Sequence, residues 1–265
     1  MAFVEIEDVS LTYGGAAGAS ATLAVDRLSL SVREGEFAAV VGPSGCGKST
    51  LMRLATGLRR PTRGAVRVAG KPVDRPLSIA GMAFQNPTLL PWRTTLSNVM
   101  LPLEIVRPHR QRLSRDRAEY TARAEGLLSL VGLRGFGGKY PWQLSGGMQQ
   151  RANLCRALIH DPVLLMLDEP FGALDAFTRE ELWTVMRDLH AEKGFTVILV
   201  THDLREAVYL ADRIFVMSAR PGRIIVEREV DIPRPRSLEM LYDPHFVELV
   251  HELRGHIADA RREAA

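Results

Sequence analysis

The sequence predicts an α/β fold: a mostly parallel sheet core, an antiparallel β layer, and a helical subdomain inserted into the core. Three observations carry this. Short apolar runs at 37–41, 163–167 and 195–200 read as strands buried on both faces. Each is followed by a stretch with helical spacing, and buried strands alternating with helices mark a parallel sheet. Residues 3–10 and 23–32 instead alternate apolar and polar, as strands with one covered face do.

The stretch after the first buried strand organises the rest. Gly42-Pro43-Ser44-Gly45-Cys46-Gly47-Lys48-Ser49-Thr50 fits the phosphate-loop pattern G-x-x-x-x-G-K-[ST]. A helix is expected over 49–57, with Leu51, Leu54 and Ala55 on one face. Glycines let successive backbone N–H groups turn inward on an anion. The helix start adds unpaired N–H donors and the positive end of its dipole. In this motif Lys48 reaches the β- and γ-phosphates and the Ser49 hydroxyl ligates Mg²⁺. Cys46 occupies a position that needs a small residue, and Cys155 reads as core.

The remaining elements follow in order. Leu11-Thr12-Tyr13 closes the first strand, and the Gly/Ala-rich 14–20 reads as a flexible hairpin loop. Arg33-Glu34-Gly35-Glu36 turns into the strand before the phosphate loop. Strands are expected at 65–68 and 79–84. Beyond Gln85 the prolines Pro87, Pro91, Pro102 and Pro108 break the chain into short pieces. The segment 85–144 reads as a mainly helical insertion. Its basic run at 107–117 reads as a solvated face, and its longest helix, 118–131, should bury Ala122, Leu127, Leu128 and Val131. Helices at 145–159, 178–190 (apolar stripe Leu182, Val185, Met186, Leu189) and 204–210 alternate with the two later buried strands. Strands at 214–217 and 224–230 precede an extended linker, Asp231-Ile232-Pro233-Arg234-Pro235-Arg236, and a terminal helical segment at 238–257.

Composition narrows the class. The 265 residues are 46% hydrophobic and 25% charged, ordinary for a globular protein. A net charge of +3 is too small to indicate nucleic acid. No apolar run approaches the roughly 18 residues of a membrane span, and the first residues lack a signal peptide's regions. Two cysteines make no disulfide framework. A cytoplasmic location is expected.

Two further motifs carry chemistry. Leu164-Leu165-Met166-Leu167-Asp168-Glu169 is a hydrophobic strand delivering acids at its end, the Walker B pattern. Asp168 would hold Mg²⁺. Glu169, one residue on, projects to the other side of the strand end and could polarise the attacking water as general base. Leu144-Ser145-Gly146-Gly147-Met148-Gln149-Gln150-Arg151 places a serine at a helix N-cap, followed by two glycines: a second anion cradle. A second cradle needs a second phosphate, or the same phosphate approached from another subunit.

Phosphate loop, Gln85, Leu-Ser-Gly-Gly, Walker B and His202, in this order, resemble the ATP-binding subunit of an ATP-binding cassette (ABC) transporter over residues 3–230. The resemblance implies a P-loop NTPase ABC cassette over 1–236, its helical subdomain at about 86–158, with a helical extension at 237–265. It implies ATP and Mg²⁺ as cofactors. It implies a homodimer in which each ATP lies between one subunit's phosphate loop and the other's Ser145-Gly146-Gly147. Tyr13 matches the aromatic that stacks on adenine. Gln85 matches the glutamine that contacts Mg²⁺ or water and moves with the transmembrane partner. Asp175 matches the dimer-contact loop, and His202 the histidine that senses the γ-phosphate. Met148 stands where the commonest signature has Gln, and a thioether cannot supply an amide's hydrogen bonds.

Asn86-Pro87-Thr88-Leu89-Leu90-Pro91-Trp92, Tyr140-Pro141-Trp142-Gln143, Ser218-Ala219-Arg220-Pro221-Gly222-Arg223-Ile224 and the 231–236 linker together resemble the nitrate/sulfonate/taurine importer branch. That resemblance implies a permease, an extracytoplasmic solute-binding protein, no nucleic acid partner, and a peripheral position on the cytoplasmic side of the membrane. Leu89, Leu90, Pro91 and Trp92 are expected to line the groove that receives the permease's coupling helix; the competing expectation places Trp92 in the core. A soluble ABC ATPase acting on nucleic acid or ribosomes would carry long coiled coils or two cassettes. A small-molecule kinase would lack the signature and His202.

Overall fold

The computed structural model describes residues 2–14 and 21–262, so the expected hairpin loop at 14–20 lies almost wholly outside the described residues. In chain order the elements are β1 (Ala2–Tyr13), β2 (Thr22–Arg33), β3 (Phe37–Val41), α1 (Lys48–Ala55), β4 (Arg63–Val68), β5 (Lys71–Pro72), β6 (Ala80–Ala83), α2 (Thr95–Val99), α3 (His109–Arg112), α4 (Arg117–Leu130), α5 (Gly146–Leu158), β7 (Leu164–Asp168), α6 (Ala176–Lys193), β8 (Thr196–Val200), α7 (Leu204–Leu210), β9 (Arg213–Met217), β10 (Ile224–Glu229) and α8 (Pro244–Arg262). They fall in two compact units, Met1–Leu77 with Gly194–Ala265, and Ser78–Lys193.

The first unit holds an antiparallel sheet of order β2-β1-β4-β5. Its alternation predicts one covered face, and Val4, Ile6, Val9 and Leu11 are buried. The register shifts between Ile6 and Val9, where Asp8 takes φ 50° and its N–H donates to Ser29 Oγ. The same unit holds parallel strands: β3 lies between β8 and β9, and β10 closes on β9 antiparallel. Every residue of β3, β8 and β9 is buried, which is why these runs lack polar alternation. Helix α1 buries Leu51, Leu54 and Ala55 as its spacing predicts.

The 231–236 segment is more than a linker. Arg236 is 2% exposed, and its guanidinium donates to the carbonyls of Val208, Tyr209, Ala211, Val230 and Ile232 at 2.7–3.3 Å. Arg234 adds the Leu210 carbonyl at 2.6 Å and pairs with Asp212. The last carbonyls of α7, which have no partner within the helix, are thus satisfied by two arginines at the negative end of its dipole. Burial pushes the Arg236 pKa down to about 10, which leaves it charged at neutral pH.

In the second unit β6 and β7 pair in parallel, Ala80 opposite Leu164 and Ala83 opposite Leu167. Val163, expected to begin β7, lies outside it and is half-exposed. Two helix faces differ from the expected ones. Helix α4 buries Tyr120, Ala124 and Leu128, with Ala122 exposed. Tyr120 decides this: its ring goes inward and its hydroxyl meets His109 Nδ1 at 2.9 Å. Helix α6 fully buries Leu182, Trp183, Met186 and His190, while Val185 and Leu189 are half-buried. Trp183 carries the largest apolar area on that helix and sets which side faces in. Between β6 and α4 the chain is short helices and turns, and the basic α3 buries no residue, in keeping with a solvated face.

Candidate active site

The phosphate loop lies in the first unit, between β3 and α1. Gly47 holds φ +109°, and a Cβ there would sit 2.8 Å from Val25 Cγ1, so only glycine fits. Lys48 is 7% exposed. Its ammonium donates to the carbonyls of Gly42 and Pro43, both at 2.9 Å, and lies 3.8 Å from Cys46 Sγ. The charge is therefore held over the loop by neutral acceptors, which an incoming phosphate can replace. Ser44, Gly45 and Ser49 are exposed, and Thr50 is buried. Cys46 is 1% exposed, and burial raises its thiol pKa, so it stays protonated and packs as a small apolar group.

Tyr13 ends β1 beside this loop. Its hydroxyl lies 3.4 Å from Thr50 Oγ1, and the Arg59 guanidinium sits 5.8 Å from its ring centroid. His202 is exposed on the turn between β8 and α7, next to Asp203, whose carboxylate caps α7 by accepting from Arg205 and Glu206 N–H.

From the sequence, 218–224 reads as a branch marker and its Arg220-Pro221-Gly222-Arg223 as a turn before the last strand. The structure folds it against the phosphate loop. The Gly222 N–H donates to Ala24 O at 3.0 Å, and its carbonyl accepts from Asp26 N–H at 3.1 Å. A Cβ on Gly222 would fall 2.1 Å from the Cys46 carbonyl oxygen. Arg220 Nε donates to Gly45 O at 3.3 Å, and Arg223 pairs with Asp26. No local signal in Arg-Pro-Gly-Arg marks such a contact, because it joins positions 175 residues apart.

The remaining predicted residues lie in the second unit. Asp168 ends β7 and is 7% exposed. Glu169 follows with φ 47°, left-handed backbone that costs a non-glycine residue about 1–2 kcal/mol. Such strain concentrates where a side chain must be aimed. The Gln85 amide donates to Glu169 Oε2 at 2.9 Å, so these two predicted residues meet. The residue before Gln85 is also held: the Phe84 carbonyl accepts from Gln150 and Asn153 of α5 at 3.2 and 3.1 Å. Ser145 is the N-cap of α5, and its Oγ accepts from Met148 N–H at 3.3 Å. Gly146 is exposed and Gly147 half-buried. The Asp175 carboxylate accepts from Thr178 N–H at 3.0 Å and Oγ1 at 2.7 Å, which lowers its pKa and caps α6.

Asn98, fully buried, donates to the carbonyls of Leu90, Arg93 and Thr94 and accepts from Leu90 N–H. It shapes the loop that carries Trp92. Trp92 is 71% exposed, so it is not core; Leu89 of the expected patch is buried instead.

A strand, a glycine loop closing on a lysine and a helix, set in a parallel sheet, define a phosphate-loop nucleotide-binding protein. The ABC transporter family matches residues 25–172, and the chain belongs to that family. It is 42% identical over 247 residues to the nitrate import ATP-binding protein NrtC of Synechococcus elongatus, covering 92% of this chain but 37% of that longer one. It is 43% identical over 220 residues to the aliphatic sulfonates import ATP-binding protein SsuB of Bacillus licheniformis, covering 83% and 82%. Among solved structures, the dimeric post-hydrolysis state of the cassette MJ0796, bound to ADP and Pi, superposes with TM-score 0.75 at 32% identity over 87% of this chain and 100% of that one. The resemblance to the nitrate/sulfonate/taurine branch is thus borne out.

Proposed function

We propose that this chain is the ATP-hydrolysing subunit of an importer of small oxyanions of the nitrate, sulfonate or taurine class. The observation that carries the reading is the phosphate loop built round the buried Lys48 ammonium. Lys48 and the N–H groups of the Gly42–Thr50 loop, in which Pro43 alone has none, grip the β- and γ-phosphates, and Tyr13 stacks on the base. Positioning and charge neutralisation of this kind supply most of the catalysis of phosphoryl transfer.

The second unit supplies the carboxylates. Glu169 takes the proton of the attacking water, and Gln85, already bonded to that carboxylate, orients it. Ser49, Asp168 and Gln85 offer hydroxyl, carboxylate and amide oxygens, the hard donors Mg²⁺ prefers. An Mg²⁺ held by such donors would neutralise charge on the β- and γ-phosphates. Two copies pack head to tail, so that Ser145, Gly146 and Gly147 of each meet the γ-phosphate held by the other. Ser145 Oγ accepts from Met148 N–H and still has its own proton to donate. His202 senses the γ-phosphate.

The partners proposed are transmembrane permease subunits and, in the same system, an extracytoplasmic solute-binding protein. The chain sits peripherally on the cytoplasmic face; no described helix is long and apolar enough to cross a membrane. The test is ATP hydrolysis by the purified chain and by the complex with its permease in vesicles. Hydrolysis that EDTA abolishes, and that drives uptake of labelled nitrate or sulfonate, is expected. Metal-independent hydrolysis, or hydrolysis uncoupled from any anion, would overturn the reading.

The exposed Trp92 is proposed to dock the permease's coupling helix. Trp92→Ala should leave the isolated subunit's stability within about 0.5 kcal/mol, as for an exposed site, while permease assembly and coupled transport fall. Pull-down with the permease checks this; an intact complex would discard the docking role.

A further inference from the structure

We propose that Arg220 is a positioning residue of the phosphate loop, and that the 218–223 turn is a brace that presets the loop for nucleotide. This rests on the reading of that loop as the ATP site.

Gly45 is at the exposed tip of the loop, in left-handed backbone with φ +75°. Its carbonyl accepts from Arg220 Nε at 3.3 Å, and Arg220 Nη2 lies 3.9 Å from where a Gly45 Cβ would stand. The same peptide plane carries the Cys46 N–H, which donates to the Pro43 carbonyl at 3.4 Å, so Arg220 holds at its carbonyl end a plane that the loop itself holds at the N–H end. This matters because a phosphate cradle works only when its N–H groups converge on one point.

Arg220 can exert this hold because its own turn is pinned at several points. The Ser218 hydroxyl accepts from Arg223 N–H at 2.9 Å and lies within 3.1 Å of the carbonyls of Ala219 and Pro221. Ser218 N–H donates to Arg223 O at 2.9 Å, and Gly222 is laced to Ala24 and Asp26 of β2. Arg223 pairs with Asp26, whose carboxyl that guanidinium holds below its usual range. Gly222 also passes so close to Cys46 O that no side chain fits there. The turn therefore backs the loop at Cys46 and grips it at Gly45. Without Arg220 the tip is free on one side, and nucleotide must order it on binding.

The test compares wild type with Arg220→Ala and Arg220→Gln. Both are surface changes, so their melting temperatures should match wild type. ATP affinity, read by titration with a fluorescent ATP analogue, should fall about three- to tenfold, the worth of one hydrogen bond. KM should rise in step while kcat stays within about twofold. In ligand-free protein, amide hydrogen exchange across residues 45–48 should speed up in both variants. Unchanged affinity would overturn the proposal. So would weaker binding with unchanged exchange, which would assign Arg220 to charge attraction alone. A wild-type chain that bound no ATP would sink the nucleotide reading instead, and the ligand-free exchange comparison would still decide the role of Arg220.

Discussion

Replacing Glu169 by glutamine is expected to keep ATP binding and to cut hydrolysis by about 10²–10⁴-fold, the usual worth of a positioned general base. Three features make this residue the one to change. It follows directly on a buried strand, it holds left-handed backbone at φ 47°, and the Gln85 amide donates to it at 2.9 Å. An amide is nearly isosteric with the carboxylate and tolerates the same backbone, so the fold should not move. It cannot take a proton from water. With the chemical step blocked, ATP should hold two copies together, and a dimer should accumulate on size exclusion in the presence of ATP. Phosphate release at the wild-type rate would remove Glu169 from the role of base. An ATP-bound variant that stayed monomeric would remove the head-to-tail sandwich.

Lys48→Ala is expected to lower ATP affinity by about 10²-fold or more. Truncating one partner of a close, desolvated charge pair costs about 2–5 kcal/mol, and about 1.4 kcal/mol is tenfold. The ammonium is 7% exposed and its present partners are the carbonyls of Gly42 and Pro43. Those carbonyls are neutral, whereas a triphosphate is multiply charged, so exchange of one for the other is favourable. The variant also frees two loop carbonyls, each bond to a charged group being worth about 1.5–3 kcal/mol, so a lowered melting temperature should accompany the loss. Lys48→Arg keeps the charge but replaces the compact ammonium with a planar fork, so it tests whether a point charge at this place is what the loop needs. Calorimetric titration with ATP reads both, and wild-type affinity in Lys48→Ala would show that the loop does not bind phosphate through this residue.

Much of the fold was legible because burial writes itself into short apolar runs. The strands at Phe37–Val41 and Thr196–Val200 and the helix Leu204–Leu210 coincide with, or lie within a residue of, the expected ranges. The helices of the second unit were read less well. In α4 and α6 apolar residues lie on more than one side, and Tyr120 and Trp183, with polar atoms on large rings, decided which side went in. The site motifs were legible for a different reason. Phosphate binding needs glycines, a lysine and a hydroxyl at set spacing along one turn of chain, so the chemistry is local.

By itself, then, the chain's order of residues determined its class, its sheet, the phosphate loop, the acids that end β7 and the serine that caps α5. Each of these is a matter of neighbours within a few positions. Only the tertiary structure decided that Arg220 reaches Gly45, that Arg236 gathers the carbonyls at the end of α7, that Gln85 meets Glu169, and that Trp92 faces outward. These contacts join positions 25–175 apart or depend on which side of a loop the core leaves open. Hydrogen bonds of that kind leave no period and no spacing to read, because their partners become neighbours only when the strands between them have paired.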